Sequence, residues 1–140
     1  MVKINNLTFY YRERKPIFEN VSFEMKNGIY GLLGENGVGK TTLLRIISGL
    51  CFPKKGSCQV LGTETAFRNP DMLKQLYYLP EEFIVPSQTV KSFVKLNSVF
   101  YPNFSNEQFN SYLNDFHLDI DSRMKELSFG QKKKVLIAFA

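Results

Sequence analysis

Gly34-Glu35-Asn36-Gly37-Val38-Gly39-Lys40-Thr41-Thr42 is the stretch that decides how this chain folds. It contains a Gly-x-x-x-x-Gly-Lys-Thr spacing, which lets a backbone wrap the phosphates of a nucleotide. Its glycines admit φ > 0 and turn consecutive N–H groups onto one anion, while Lys40 supplies a compact charge for the outer phosphates. Thr41 follows with a hydroxyl suited to Mg²⁺. Upstream, Ile29-Tyr30-Gly31-Leu32-Leu33 is a short apolar run of buried-strand type. Downstream, Leu43, Leu44, Ile46 and Ile47 recur at helical spacing within residues 40–50. A glycine-rich turn opening any helix would account for the loop alone. The succession of strand, loop and helix adds a helix N-terminus aimed at the phosphate site.

A second motif lies further along. In Leu127-Ser128-Phe129-Gly130-Gln131, Ser128 stands 88 residues after Lys40; Lys132-Lys133-Lys134 and the apolar Val135-Leu136-Ile137-Ala138 follow. Ser128 is placed to cap a helix starting near Gly130, with free N–H groups and the positive dipole end directed outward. Alone, this is a capped helix. Together with the phosphate loop it resembles the signature of the ABC ATPases, usually Leu-Ser-Gly-Gly-Gln. Phe129 departs from that pattern at the third position, whereas Ser128 and Gly130 match the family's main phosphate contacts.

The resemblance runs over essentially all 140 residues. It implies an α/β fold: a P-loop NTPase core of ABC type with N-terminal antiparallel strands (residues 1–79), then a helical subdomain through the signature helix (residues 80–140). It implies ATP and Mg²⁺ as cofactors. The nucleotide contacts it carries over are Tyr11, Gly34, Glu35, Asn36, Gly37, Val38, Gly39, Lys40, Thr41 and Thr42, with Ser128, Gly130 and Gln131 reaching the nucleotide of a facing copy or paralogue. An aromatic residue on the first strand stacks on adenine in the family; Tyr11 takes that place, with Tyr10 the alternative. At Glu81 the family usually carries a glutamine that reaches the metal and the attacking water. Some exporter branches resemble this chain in having glutamate there, so the catalytic pair becomes Lys40 and Glu81, and the metal ligands Thr41 and Glu81. An exposed acidic pair, Glu81-Glu82, explains the same letters without chemistry.

Elsewhere the pattern is ordinary. Residues 4–11 alternate like an edge strand and 17–23 continue an antiparallel piece; 49–57 form a turn-rich loop before a strand at 58–62. Residues 76–80 read as a strand stopped by Pro80. Val90, Phe93, Val94, Leu96 and Asn97 carry helical spacing, Tyr101-Pro102-Asn103-Phe104 interrupts it, and Ser105 with Gln108 resembles a capping box. Phe109, Tyr112, Leu113 and Phe116 are the expected buried face of that helix, and Phe83, Val85, Phe100 and Tyr101 the aromatic and apolar side chains expected to face a partner.

Composition bounds the function. A chain of 140 residues, 44% hydrophobic, supports one modest domain. No apolar run approaches the roughly 18–20 residues needed to cross a bilayer, and residues 1–5 lack a secretion signal, so the chain reads as cytoplasmic; the resemblance implies a peripheral place on the inner face of the cell membrane. Cys51 and Cys58 lack metal-ligand spacing and read as reduced thiols, and His117 as a packing or capping residue. The net charge of +5 and Lys132-Lys133-Lys134 suggest a nucleic-acid partner, but no aromatic–basic interleaving accompanies them, and none is expected. The expected partners are a membrane permease and a paired ATPase domain, homodimeric or paralogous. In the family, an aspartate for Mg²⁺, a water-activating glutamate and a switch histidine follow the signature helix. These 140 residues do not contain that segment, so the fold is expected to be incomplete at the C-terminus and inactive alone. The reading is therefore an ATP-hydrolysing subunit of an ABC exporter. The alternatives are a truncated, non-catalytic nucleotide-binding module or part of a soluble ABC protein acting on the ribosome.

Overall fold

The computed structural model describes residues 1–12 and 15–140. They divide into two compact units, Met1–Tyr78 and Leu79–Ala140.

The first unit is built on strands β1 (Val2–Phe9), β2 (Phe18–Met25), β3 (Lys55–Val60) and β4 (Thr63–Glu64), in the order β2-β1-β3-β4 with every neighbouring pair antiparallel. β1 is not the edge strand its alternation suggests. It is paired on both sides, Ile4 standing opposite Phe23 on β2 and opposite Cys58 on β3, because β3 begins at Lys55, three residues earlier than its apolar letters indicate. Ile4 and Leu7 are both buried although strict alternation would place residues three apart on opposite faces. An irregularity between them, with Asn6 at φ 47°, supplies the extra residue that keeps both inward.

Helix α1 (Lys40–Ile47) closes the core over this sheet. Ile46 is buried with Ile4, Leu7, Phe9 and Cys58, and Leu43 and Ile47 pack partly against them. Truncating a fully buried isoleucine costs about 2–5 kcal/mol, so the helix that carries the glycine loop is anchored firmly. A short helix α2 (Pro70–Leu73) follows, opened by Asn69, whose side chain accepts from the Asp71 N–H at 2.8 Å.

Two expected strands do not form. Residues 29–33 and 76–79 carry no ladder, and Ile29 and Leu33 are 104% and 91% exposed. A continuous apolar run becomes a buried parallel strand only where neighbours take its hydrogen bonds and cover both faces. The described residues provide neither run with such a neighbour.

The second unit is helical: α3 (Val90–Asn97), a 3₁₀ turn at Ser98–Phe100, α4 (Asn106–Asp115) and α5 (Phe129–Phe139). Thr89 and Ser105 cap α3 and α4, accepting from the Ser92 and Gln108 N–H groups at 3.2 Å each. Phe139 gathers the rings of Phe93, Tyr101 and Phe104, with centroids 5.3, 5.6 and 4.9 Å away. Residues 118–124 fold back onto the start of α3, where Val90 N–H donates to Ser122 at 3.0 Å and Met124 N–H to Gln88 at 2.9 Å. The buried stripe of α4 is narrower than expected. Phe109 and Leu113 are buried and Phe116 half-buried, but Tyr112 is exposed, because a stripe centred between positions 109 and 113 leaves 112 at its margin. Of the four side chains expected to face outward, Phe100 does so, and Phe83, Val85 and Tyr101 are half-buried. His117, exposed and left-handed at φ 54°, follows α4 and donates its N–H to the Asn114 carbonyl.

The turn joining β3 and β4 places Leu61 and Gly62 at φ 52° and 80°, a two-residue connection that favours Asn-Gly. Leu61 is half exposed, so its side chain contributes little to offset the left-handed backbone. Leu61→Asn is expected to stabilise the protein by about 1 kcal/mol, read as a higher urea midpoint with unchanged slope. An unchanged or lower midpoint contradicts this.

Candidate phosphate-binding site

The loop at residues 34–39 lies between the unpaired run 29–33 and α1. Gly37 and Gly39 take φ 88° and 105°. At Gly39 the requirement is double: a Cβ there would lie 2.5 Å from Ile17 Cγ2 and 2.8 Å from Phe18 Cζ, so the start of β2 backs the loop and leaves room only for glycine. Gly39 is also the N-cap of α1, and it offers no side chain to the first turn. Each of the other α-helices is capped, by Asn69, Thr89, Ser105 and Ser128 respectively. The leading N–H groups of α1 thus remain open to an anion at the positive end of the helix dipole.

Lys40 completes the cradle. Its Nζ donates to the carbonyls of Gly34 at 2.6 Å and Glu35 at 2.8 Å, which ties the two ends of the loop and holds the ammonium against it. Glu35, Asn36 and Val38 point to solvent, so these three positions offer the site main chain rather than side chain. Thr41 is exposed on the first turn of α1, whereas Thr42 is buried. The Thr42 Oγ1 lies 3.3 Å from the hydroxyl of Tyr11.

Tyr11 is 39% exposed, with its ring edge-on to Phe9 at a centroid distance of 4.8 Å and 89°. The alternative, Tyr10, has the Lys54 ammonium 5.7 Å from its ring centroid. Sequence reasoning missed Arg45 and Tyr78. The hydroxyls of Tyr11 and then Tyr78 favour the charged Arg45 guanidinium and raise its pKa further above its ordinary value. The available signal was position: Arg45 follows Thr42 by three residues and shares its face of the helix.

The second motif forms a capped helix start. Ser128 Oγ accepts from the Gln131 N–H at 3.2 Å, and Gln131 Oε1 accepts from the Ser128 N–H at 2.8 Å, a complete capping box. Gly130 is exposed with open space around it. Phe129 stacks on Phe83 with centroids 5.3 Å apart, and the Lys133 ammonium lies 5.8 Å from the Phe129 ring centroid. The side chain that breaks the expected pentapeptide is therefore occupied locally. Lys134 rests over Phe116 at 5.3 Å, so two of the three consecutive lysines are spread on aromatic rings of their own unit. Glu81 is exposed and belongs to this second unit, whereas Lys40 and Thr41 belong to the first.

A family model described as ABC transporter matches residues 18–140. The chain belongs to the ABC transporter family. Among its relatives, the putative ABC transporter ATP-binding protein AlbC of Bacillus subtilis is 31% identical across 98% of this chain and 62% of its own length. The zinc import ATP-binding protein ZnuC of Ehrlichia canis is 33% identical across 99% of this chain and 54% of its own. The chain thus spans little more than half of these relatives' length. The ATP-binding cassette MJ0796, solved as a dimer in a post-hydrolysis state with ADP and Pi, superposes with a TM-score of 0.75 at 25% identity, covering 99% of this chain and 68% of that one. The fold is accordingly the α/β nucleotide-binding domain of this family, with its antiparallel sheet and helical part both present. No helix among the described residues is long and apolar enough to cross a membrane.

In this ABC domain Cys58 is a core residue of the sheet that carries α1. Burial pushes its thiol from 9.0 up to about 11, partly offset by the neighbouring Thr65 hydroxyl and with a smaller push from the Glu64 carboxylate. Among the described residues no group of three or more His, Cys, Asp or Glu could hold a metal ion. Because the folded pKa is raised, the folded chain retains this proton longer than the unfolded one. The corresponding stability is present below pH about 9 and lost as pH rises through about 11. Alkylation at pH 8 is expected to modify Cys51 and spare Cys58, as read by peptide mass spectrometry. Equal labelling of both would contradict the buried, protonated assignment.

Proposed function

We propose that this chain supplies the ATP-binding region of an ABC transporter subunit that hydrolyses ATP to drive a membrane permease. The observation that carries the reading is the uncapped N-terminus of α1, with Lys40 held against the loop carbonyls beside it. The N–H groups around Gly37, Gly39 and Lys40 would bind the phosphates, and the Lys40 ammonium would move from the carbonyls to the outer phosphate oxygens. Thr41, an exposed hard oxygen ligand on the first turn, fits Mg²⁺, and Glu81 would serve as the carboxylate for the metal and the attacking water. Mg²⁺, when bound, would neutralise charge on the phosphates. Lys40 and the loop N–H groups stabilise the charge that spreads over the transferring phosphoryl group, by positioning rather than covalent chemistry. Tyr11 would hold the base.

Ser128, Gly130 and Gln131 would meet the nucleotide of a second copy or paralogue, so that ATP closes the pair. The Ser128 hydroxyl accepts one hydrogen bond in the cap and keeps its own proton to donate. The resulting opening and closing would act on a permease at the inner face of the cell membrane. Export is the proposed direction, and it rests on Glu81, since a relative named for zinc import shares the same domain.

Lys40→Ala is expected to weaken ATP binding by about 10- to 100-fold, the range for losing a hydrogen-bonding charged group, measured by titration calorimetry. Ser128→Arg is expected to leave ATP binding to the single chain intact and to abolish ATP-dependent pairing in sedimentation. Pairing that persists in Ser128→Arg would overturn the shared-site arrangement, and ATP affinity unchanged in Lys40→Ala would overturn the phosphate site.

A further inference from the structure

Residues 80–87, which carry Glu81, include Pro80 and Pro86 and form neither helix nor strand. None of their backbone groups hydrogen-bonds among the described residues, and the next fixed backbone point is the Gln88 carbonyl, which accepts from the Met124 N–H. Glu81, Glu82 and Ile84 are exposed. A segment with no ladder and no cap takes its course from the side-chain contacts it makes. Here the half-buried ring of Phe83, two residues after Glu81, lies against the ring of Phe129, with centroids 5.3 Å apart and an interplanar angle of 18°.

Phe129 is placed to be the fixed partner of the two. It is the first residue of α5, directly after the Ser128 cap, and Leu127 before that cap is buried. The Lys133 ammonium, one turn further along the helix, stands 5.8 Å from its ring centroid. Yet Phe129 is itself 56% exposed, so it does not serve the unit as a core residue. What its ring contributes is the contact with Phe83.

We propose that the Phe83–Phe129 stack holds the segment bearing Glu81 to the start of α5, which makes Phe129 a positioning residue for the Glu81 carboxylate. The proposal rests on the reading of Glu81 as the carboxylate for the metal. Its physical basis is that a stacked pair fixes distance and tilt together, close to Glu81 in a stretch where the backbone supplies no bond. Position 129 is also the one that departs from the usual pentapeptide, where a glycine would offer no ring. A carboxylate restricted in advance gives up less freedom when it binds.

Nitrogen-15 relaxation, and Mn²⁺ titration in the presence of ATP followed by electron paramagnetic resonance, test this on the purified protein. Phe83→Leu and Phe129→Leu keep apolar bulk and remove the stack; Phe129→Tyr keeps the ring. Each leucine variant is expected to increase the fast motion of the Glu81 and Glu82 amides and to weaken Mn²⁺ by about two- to ten-fold, the scale of one aromatic pair. The tyrosine variant is expected to match the parent in both. The double leucine variant is expected to be no weaker than the weaker single, because both remove the same stack. Unchanged motion at Glu81 in both leucine variants overturns the tether, and so does a tyrosine variant that behaves like leucine. Equal added motion at the Gln131 and Lys132 amides would reduce Phe129 to a support of α5 and overturn it too. Glu81→Gln separates the underlying reading: if it weakens Mn²⁺ while the leucine variants do not, only the positioning role fails. If it leaves Mn²⁺ affinity unchanged, Glu81 is not the metal carboxylate and both readings fall.

Discussion

The N–H groups that open α1 have no side chain to satisfy them, and the arrangement of the first unit follows from that constraint. Such groups are stable only when solvated or met by an acceptor. The chain keeps them open by placing Gly39 at the N-cap, where the left-handed backbone and the contact with Ile17 and Phe18 exclude any side chain. Lys40, at the end of the loop, is tied to the carbonyls of Gly34 and Glu35 at its start. The helix behind them is fixed to the sheet through Ile46, so the dipole that favours an anion stays aimed at the loop.

The start of α5 is the contrasting case. Its cap is complete, with Ser128 and Gln131 each satisfying the other's backbone. A helix already satisfied by its own side chains has less to gain from a ligand than α1. That difference suits a primary site that binds phosphates within one chain and a secondary site that engages once a partner delivers them. Phe129, held by Phe83 and Lys133, leaves the Ser128 and Gly130 positions at the surface.

What was legible in the sequence was local. The loop spacing placed α1, and Ser128, and Ser105 with Gln108, marked two helix starts, because a cap depends on residues close in sequence; that Gln131 closes the box with Ser128 is a finding of the structure. What was not legible depended on distant chain. The apolar letters of residues 29–33 report a strand only if neighbours exist to pair with it, and the described sheet supplies none. β1 was misread as an edge because its second neighbour, β3, returns from some fifty residues away. The exposure of Tyr112 follows from how α4 rolls against its neighbours, which helical spacing cannot fix to within one position. The grouping of Tyr11, Thr42, Arg45 and Tyr78 draws on a strand end, a helix and a segment beyond α2, and only Thr42 with Arg45 carries a local signal.

The account depends on phosphates being bound by the backbone of one loop and one helix start. The most direct measurement is an amide-resolved NMR titration of nitrogen-15-labelled protein with magnesium and ATP. The account predicts that the amides of Gly37, Val38, Gly39, Lys40 and Thr41 shift first and furthest, while those of Ser128 and Gly130 stay in place as long as the chain remains single. Shifts spread evenly over the basic surface, or confined to the helical unit, would contradict it.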